Sequence, residues 1–163
     1  MKSIVLSVCI LTLIVLTTLR IVFGVGFSLG CSQYLKRAAD ANTIELAQAN
    51  LKTAIGYAER ANLTNGIVSI FLCQPENDLG FWYSNLIASR DELSRTTPVT
   101  SQMEKSNLLM KLRETLTDQG EKGTRITCPN GVSIYPYNKL FFWLFLINLI
   151  VAIPLGFAKI TDM

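Results

Sequence analysis

Residues 140–158 read LFFWLFLINLIVAIPLGFA, nineteen consecutive positions without a charged side chain. Residues 3–19 read SIVLSVCILTLIVLTTL and are uncharged as well, and the apolar sequence resumes directly after Arg20. A helix needs about 20 apolar residues to cross the ~30 Å hydrocarbon core of a bilayer. The two stretches therefore predict two transmembrane helices, the first at residues 1–27 and the second at residues 139–159.

Two spans place both chain ends on the same side of a membrane. Residues 28–138 between them are numerous enough for one folded domain. Residues 160–163 are then a short cytoplasmic tail. The sequence predicts a mainly α integral membrane protein, in which two transmembrane helices flank a mostly helical extramembrane domain with a small β-hairpin.

The N-terminal stretch has two interpretations. Lys2 followed by an apolar run also describes a cleaved secretory signal, and residues 29–31, LGC, weakly match a lipoprotein cleavage site. Because Arg20 interrupts the apolar run, we favour an uncleaved signal anchor. Basic residues flank both ends of the long loop, so their count does not orient it. The export-like N-terminus and two loop cysteines favour a two-pass protein of the cell inner (plasma) membrane, with a periplasmic or extracellular domain.

The composition excludes several classes of protein. Of the 163 residues, 50% are hydrophobic, the formal net charge is +3, and there is no histidine. A chain this apolar is not disordered, and so small a basic excess does not predict nucleic-acid binding. Without histidine there is no histidine-containing catalytic triad and no histidine-ligated metal or haem. We predict no cofactor and no metal site.

No recognisable catalytic motif is present, so the sequence predicts a protein that is not an enzyme. The four cysteines are 22, 42 and 55 residues apart, which does not match a metal-binding motif. A reactive-cysteine enzyme would lack a histidine base. An acidic site stays open as an alternative, although acidic residues more often cap helices. Its candidates are Glu76, Asp78, Asp91 and Glu92.

Residues 32–62 form the longest helical pattern outside the spans. Apolar residues recur every three or four positions, which places them on one helix face. Ala47, Leu51 and Ala54 lie on this face, and its small side chains predict close packing against another helix, which we assign to a partner protein. Residues 65–66, Asn-Gly, are the predicted stop.

The second half of the domain predicts shorter elements. The apolar run at residues 67–72 fits either a buried strand or a helical turn. Asp78, or the asparagine before it, is predicted to cap one helix, and Ser101 with Glu104 forms a capping box for the next. Residues 124–137 alternate around Pro-Asn-Gly and predict the hairpin.

The cysteines of the loop suggest a disulfide. Cys73 and Cys128 are far apart in sequence and are predicted to pair in an oxidising compartment. Cys31 is an alternative partner for either.

Two positions of the second span are predicted to contact other helices. Asn148 is strongly polar near the middle of the span, and Gly156 allows close approach. The predicted membrane-interface residues share a long or amphipathic side chain near a span end; they are Arg20, Tyr137, Lys139, Trp143 and Lys159.

The sequence favours a non-catalytic accessory, structural or assembly subunit of a larger membrane complex. Its expected partners are other membrane protein subunits and the lipid bilayer, and not nucleic acid. The alternative is a membrane-anchored, extracytoplasmic ligand-sensing module that signals laterally to a partner. Two spans flanking a helical domain resemble the input modules of bacterial chemoreceptors and sensor kinases, although only residues 160–163 follow the second span.

Overall fold

The computed structural model describes residues 2–71, 73–120 and 123–161. It is mostly helical, with 74% of residues in helices, and has a small two-stranded antiparallel sheet. These findings confirm the helical class, the small sheet and two helices that are long and apolar enough to span a membrane. The elements in chain order are α1 (Lys2–Phe27), α2 (Gln33–Ala39), α3 (Ile44–Arg60), α4 (Leu79–Ser94), α5 (Gln102–Leu116), β1 (Thr117–Gly120), β2 (Gly123–Ile126) and α6 (Asn138–Thr161).

Helix α1 ends at Phe27, but the helical path continues from it into the domain. Ser28–Ser32 form one π-helical turn, which joins α1 to α2. Gly30 lies in this turn, and a Cβ atom there would lie 2.3 Å from a ring carbon of Tyr57. Phe27 packs edge-on against the same ring, with 6.1 Å between ring centroids. The missing side chain at Gly30 therefore lets α3 pack directly against the base of the long helix.

Helices α1 and α6 pack side by side and run in opposite directions. Near the domain, Phe23 and Phe141 contact edge-to-face, with 6.3 Å between ring centroids. Further along, the side-chain amide of Asn148 donates a hydrogen bond to the Thr12 hydroxyl. In the most apolar stretch of the first helix, only 6% of the residues are buried. In the corresponding stretch of the second helix, the buried share is 0%. Nearly every residue of these two apolar stretches is therefore at least partly exposed.

The core of the domain is built around α3, which packs against α2 and α4. The predicted apolar face of α3 is buried, which confirms the helical periodicity of this segment. Long leucines from the other helices complete the core. The fully buried leucines are Leu35, Leu51, Leu79, Leu86, Leu93 and Leu116.

The helix predicted over residues 32–62 is interrupted between α2 and α3. Thr43 is the N-cap of α3, and its side chain accepts a hydrogen bond from the Leu46 amide at 3.3 Å. Asp40 follows α2, and its carboxylate accepts a hydrogen bond from Arg113 of α5 at 3.1 Å. Asp and Thr favour helix ends because their side chains bind free backbone groups or nearby cations.

Helix α3 ends at Arg60, earlier than the predicted Asn-Gly stop. Asn62 adopts a positive φ of 54°, and the Leu63 amide donates to the Ala58 carbonyl at 2.8 Å. This is the pattern of a Schellman C-cap, in which a left-handed residue closes the last turn. Gly66 also has a positive φ, of 113°, but it lies in the loop that follows.

The apolar run at residues 67–72 forms neither a regular strand nor a helical turn in its described part, residues 67–71. Ile67 makes a single antiparallel bridge with Asp78, and residue 72 lies outside the described residues. The Val68 amide donates to the Asn77 carbonyl at 3.0 Å. The bridge and this hydrogen bond therefore hold the run beside the residues that lead into α4.

Both predicted N-caps of the later helices are confirmed. The Asp78 side chain accepts a hydrogen bond from the Phe81 amide at 3.1 Å at the start of α4. The Ser101 hydroxyl accepts a hydrogen bond from the Glu104 amide at 3.2 Å at the start of α5.

The predicted position of the hairpin, residues 124–137, is wrong. The sheet lies earlier, where β1 pairs with β2 and Thr117 lies opposite Ile126. The Pro-Asn-Gly sequence instead makes a turn in which Gly131 has a φ of 86°, and Val132–Ile134 form a short 3-10 helix. Prolines on both sides of this turn lack the N–H that a ladder needs, which disfavours strand pairing there.

Candidate functional site at the base of the helical domain

A cleft of about 790 Å³ lies between the two apolar helices and the domain. Residues from the loops after α3 and after β2 form its domain side. Its helix side is mostly apolar and combines residues of α1 and α6. These are Leu16, Thr17, Arg20, Asn138, Phe141, Phe142 and Phe145.

Arg20 is the one charged side chain among the described residues that line this cleft. It is exposed, and it forms no ion pair or side-chain hydrogen bond with another residue in the described ranges. No acidic side chain in these ranges lines the cleft. A guanidinium has five N–H donors in a planar fork that suits carboxylates and phosphates. The cleft is therefore complementary to an anion.

Asn138 begins α6 and is buried, with 7% of its surface exposed. Its side-chain nitrogen donates to the Gly131 carbonyl at 2.8 Å. Its side-chain oxygen is buried and has no hydrogen-bond partner among the described residues. A buried acceptor without a donor costs about 1–3 kcal/mol. A hydrogen-bond donor that reached this oxygen would remove this cost.

An aromatic cluster joins the domain to the first turns of α6. Phe71 and Phe142 contact at 5.0 Å between ring centroids, and Phe142 and Trp143 at 5.5 Å. Phe71 belongs to the domain, yet it is 66% exposed. This exposure at the base of the domain is typical of rings that sit at a membrane interface.

The predicted interface residues cluster around this base, except for one. Tyr137, Lys139 and Trp143 are exposed at or near the start of α6, and Arg20 lines the cleft beside them. Lys159 is in the last turns of α6, and its side chain lies outside the described residues.

Most residues that were predicted to contact a partner protein instead contact other parts of the same chain. Ala47, Leu51 and Ala54 have 0% exposure, because α3 turns this face toward the chain's own helices. Asn148 bonds Thr12 of α1. A Cβ at Gly156 would meet nothing within 4 Å, so this position stays open. The alanine-rich face is thus an internal packing surface, which corrects its assignment to an external partner.

The predicted disulfide between Cys73 and Cys128 is not formed. Both are free thiols; Cys73 is exposed, whereas Cys128 is half-buried against the domain core. Burial raises the pKa of the Cys128 thiol. Burial, together with the neighbouring Cys128, raises the pKa of the Cys31 thiol to about 12. Cys128 thus points toward the core near Cys31, while Cys73 faces solvent.

Thiol reactivity is expected to follow this burial. Near neutral pH, a maleimide should label Cys73 of the folded chain quickly and Cys128 more slowly, because only thiolates react. Cys31 should react only after unfolding, since its folded-state pKa of about 12 leaves almost no thiolate. Peptide mapping by mass spectrometry measures the extent of labelling at each of the three cysteines. If Cys73 and Cys128 react only after a reductant is added, they are disulfide-bonded and the arrangement above is contradicted.

The candidate acidic site is not assembled. Glu76 and Asp78 line a second cleft, of about 650 Å³, between α4 and the hairpin. Asp91 and Glu92 are ion-paired elsewhere on the surface. Within the described ranges, no three acidic or cysteine side chains are grouped as metal ligands.

No family model, no curated protein and no solved structure matches this chain. Among the described residues, Arg20 is the one predicted membrane-interface, partner-contact or disulfide residue that lines the first cleft. Asn138 carried one sequence signal, since it is a polar residue two positions before the uncharged apolar stretch at residues 140–158. Its burial depends on the loop around Gly131, which local patterns do not predict.

Proposed function

We propose that this protein is a non-catalytic integral membrane subunit that supports the structure or assembly of a larger complex. One observation carries the proposal: α1 and α6 pack as an antiparallel pair whose apolar stretches contain almost no buried residues. Monomeric soluble proteins rarely expose an apolar surface of this extent. A bilayer would cover it, and residues 3–19 alone form about 25 Å of helix at 1.5 Å per residue.

The proposed placement puts the domain outside the cell inner (plasma) membrane. The aromatic cluster at the start of α6 and Arg20 on α1 would mark the outer interface. The export-like N-terminal stretch supports this orientation. The absence of histidine from the sequence supports a non-catalytic role.

An exposed face of α5 is our candidate for contact with a partner protein. Met103 and Met110 are 77% and 58% exposed, and they lie seven residues apart on one side of the helix. Methionine is flexible and polarizable, and it is common at surfaces that bind other proteins. This face replaces the buried alanine-rich face of α3 as the proposed contact.

Reporter fusions test the orientation. A reporter that is active only outside the cytoplasm should be active after Gly120 and inactive after Met163. This result follows if both ends of the chain lie in the cytoplasm and the loop crosses the membrane. Activity only in the second fusion would reverse the orientation.

A pair of aspartates tests the subunit role. Met103→Asp with Met110→Asp should shift the protein from a large complex to a smaller species on native gels in mild detergent, because buried unpaired charges disrupt an interface. The matched control places the same two charges at Gln102 and Thr115, which are also exposed on α5. A wild-type protein that migrates alone contradicts the subunit role.

The first cleft favours a second candidate function, that of a ligand-sensing module. The cleft joins the domain to both apolar helices, and it combines an arginine with a buried acceptor, neither of which has a partner among the described residues. A ligand there would contact all three parts of the protein at once. Saturable stabilisation by a small molecule would put this function ahead of the subunit role.

A further inference from the structure

We propose that the first cleft binds a phospholipid of the surrounding bilayer, with its phosphate on Arg20 and an N–H or O–H of its headgroup on the Asn138 carbonyl oxygen. The inference rests on the proposed membrane placement of α1 and α6. It names the ligand class of the cleft and the headgroup feature that the cleft selects.

The position of the cleft points to a lipid rather than to a water-soluble ligand. Arg20 comes directly after the uncharged residues 3–19, and Leu16 lies one helical turn further into this stretch. Phe145 reaches a comparable depth on α6. The cleft thus extends from the domain base along both apolar helices. The end of the cleft that is furthest from the domain, near Leu16 and Phe145, would open among the acyl chains of the bilayer.

The charge of the cleft selects an anionic group. Arg20 is unpaired among the described residues, and no described acidic side chain in the lining competes for it. At the edge of a bilayer, phosphate is the abundant anion within reach of such a side chain. Arginine binds phosphate through two parallel N–H···O bonds, which also orient the headgroup.

The oxygen of Asn138, which has no partner among the described residues, selects a second feature of the headgroup. This oxygen is an acceptor, so a phosphate, which has only acceptors when ionised, does not satisfy it. A glycerol hydroxyl or a primary ammonium does, whereas the quaternary ammonium of choline has no N–H. The two groups together predict binding of phosphatidylglycerol and phosphatidylethanolamine but not of phosphatidylcholine.

The size and walls of the cleft agree with partial occupancy by a lipid. Ligand pockets commonly range from about 300 to 1,000 Å³, and this cleft has about 790 Å³. The phenylalanines at positions 141, 142 and 145 supply its apolar wall on α6. A headgroup and the upper parts of its chains would fill the cleft, with the remaining chain in the bilayer.

The test uses native mass spectrometry of the full chain in detergent with lipids of identical acyl chains. Phosphatidylglycerol and phosphatidylethanolamine should be retained at least about tenfold more than phosphatidylcholine, because a lost hydrogen bond to a buried acceptor has roughly that effect. Stepwise N-methylation of phosphatidylethanolamine should keep binding until the last methyl removes the final N–H. This series probes Asn138 without altering the protein. Equal retention of all headgroups overturns the proposal.

A charge variant probes the phosphate contact. Arg20→Gln should reduce retention of phosphatidylglycerol by about tenfold or more. Lys139→Gln is the matched control, because it removes an equal charge from an exposed side chain that does not line the cleft. Equal losses in both variants would mean a nonspecific charge effect and would overturn the assignment. Retention of glycerol phosphate or a fatty acid in place of the phospholipid would overturn it as well.

An alkaline carbonate wash of membranes separates the two possible failures. A chain that stays in the washed membranes but retains no lipid contradicts only the lipid site. A chain that the wash releases contradicts the proposed membrane placement itself.

Discussion

Leu51→Ala is expected to lower the free energy of unfolding by about 2 to 5 kcal/mol. Leu51 has 0% exposure and lies on α3, around which the domain core is built. Truncation removes buried methyl groups and leaves a cavity that the surrounding helices fill only in part. Denaturant unfolding of the full chain in mild detergent measures the loss. Trp82 reports on the domain, because it is buried and its ring N–H donates to the Thr127 carbonyl at 3.0 Å.

A neighbouring position gives the control for this prediction. Lys52→Ala changes the exposed side chain next to Leu51 on the same helix and should alter stability by no more than about 0.5 kcal/mol. Both variants are made in a Trp143→Phe background, so that the fluorescence comes from Trp82 alone. If the two alanine variants are equally stable, the domain does not pack around α3 as described.

Gly66→Ala is expected to lower the free energy of unfolding by about 2 to 5 kcal/mol. Its φ of 113° disfavours any side chain, which contributes roughly 1–2 kcal/mol. The new Cβ would also lie 2.1 Å from the Tyr135 hydroxyl oxygen. Overpacking of this kind typically costs about 1–3 kcal/mol. The same unfolding experiment measures the sum.

A chain that lacks the Tyr135 side chain separates the cost of the backbone conformation at Gly66 from the cost of overpacking. In a Tyr135→Ala chain, Gly66→Ala should cost only the backbone part, about 1–2 kcal/mol. Gly56→Ala is the matched control, because Gly56 lies in α3 and its nearest atom is the flexible end of Arg60 at 3.4 Å. There the gain in helix propensity of up to about 1 kcal/mol should dominate. An identical cost of Gly66→Ala in both backgrounds would contradict the close contact with Tyr135.

Features set by neighbouring residues were predictable from the sequence. The caps at Asp78 and Ser101 bind amides three residues away, so the local sequence contains both partners. The two apolar helices follow from uncharged stretches, and the buried face of α3 from its spacing. Each of these depends on one short segment.

Features that join distant segments were not predictable in the same way. The small residues of α3 indicate a close neighbour, but they do not say that the neighbour belongs to the same chain. The cleft unites Arg20 with Asn138, which are more than a hundred residues apart. Cys73 and Cys128 were predicted to pair because both lie in the loop between the two spans, whereas packing turned one to solvent and the other toward the core.

Spin labels on the two apolar helices test their placement in a bilayer most directly. The labels replace Val8 of α1, Ile147 of α6 and, as an aqueous reference, Val99 of the domain, which are 54%, 57% and 92% exposed. The chain carries alanine at its four cysteines and is reconstituted in lipid vesicles. Labels at Val8 and Ile147 should relax strongly with oxygen, which dissolves in lipid, and weakly with a water-soluble nickel complex. Nickel accessibility at Ile147 as high as at Val99 would contradict the membrane placement of this protein.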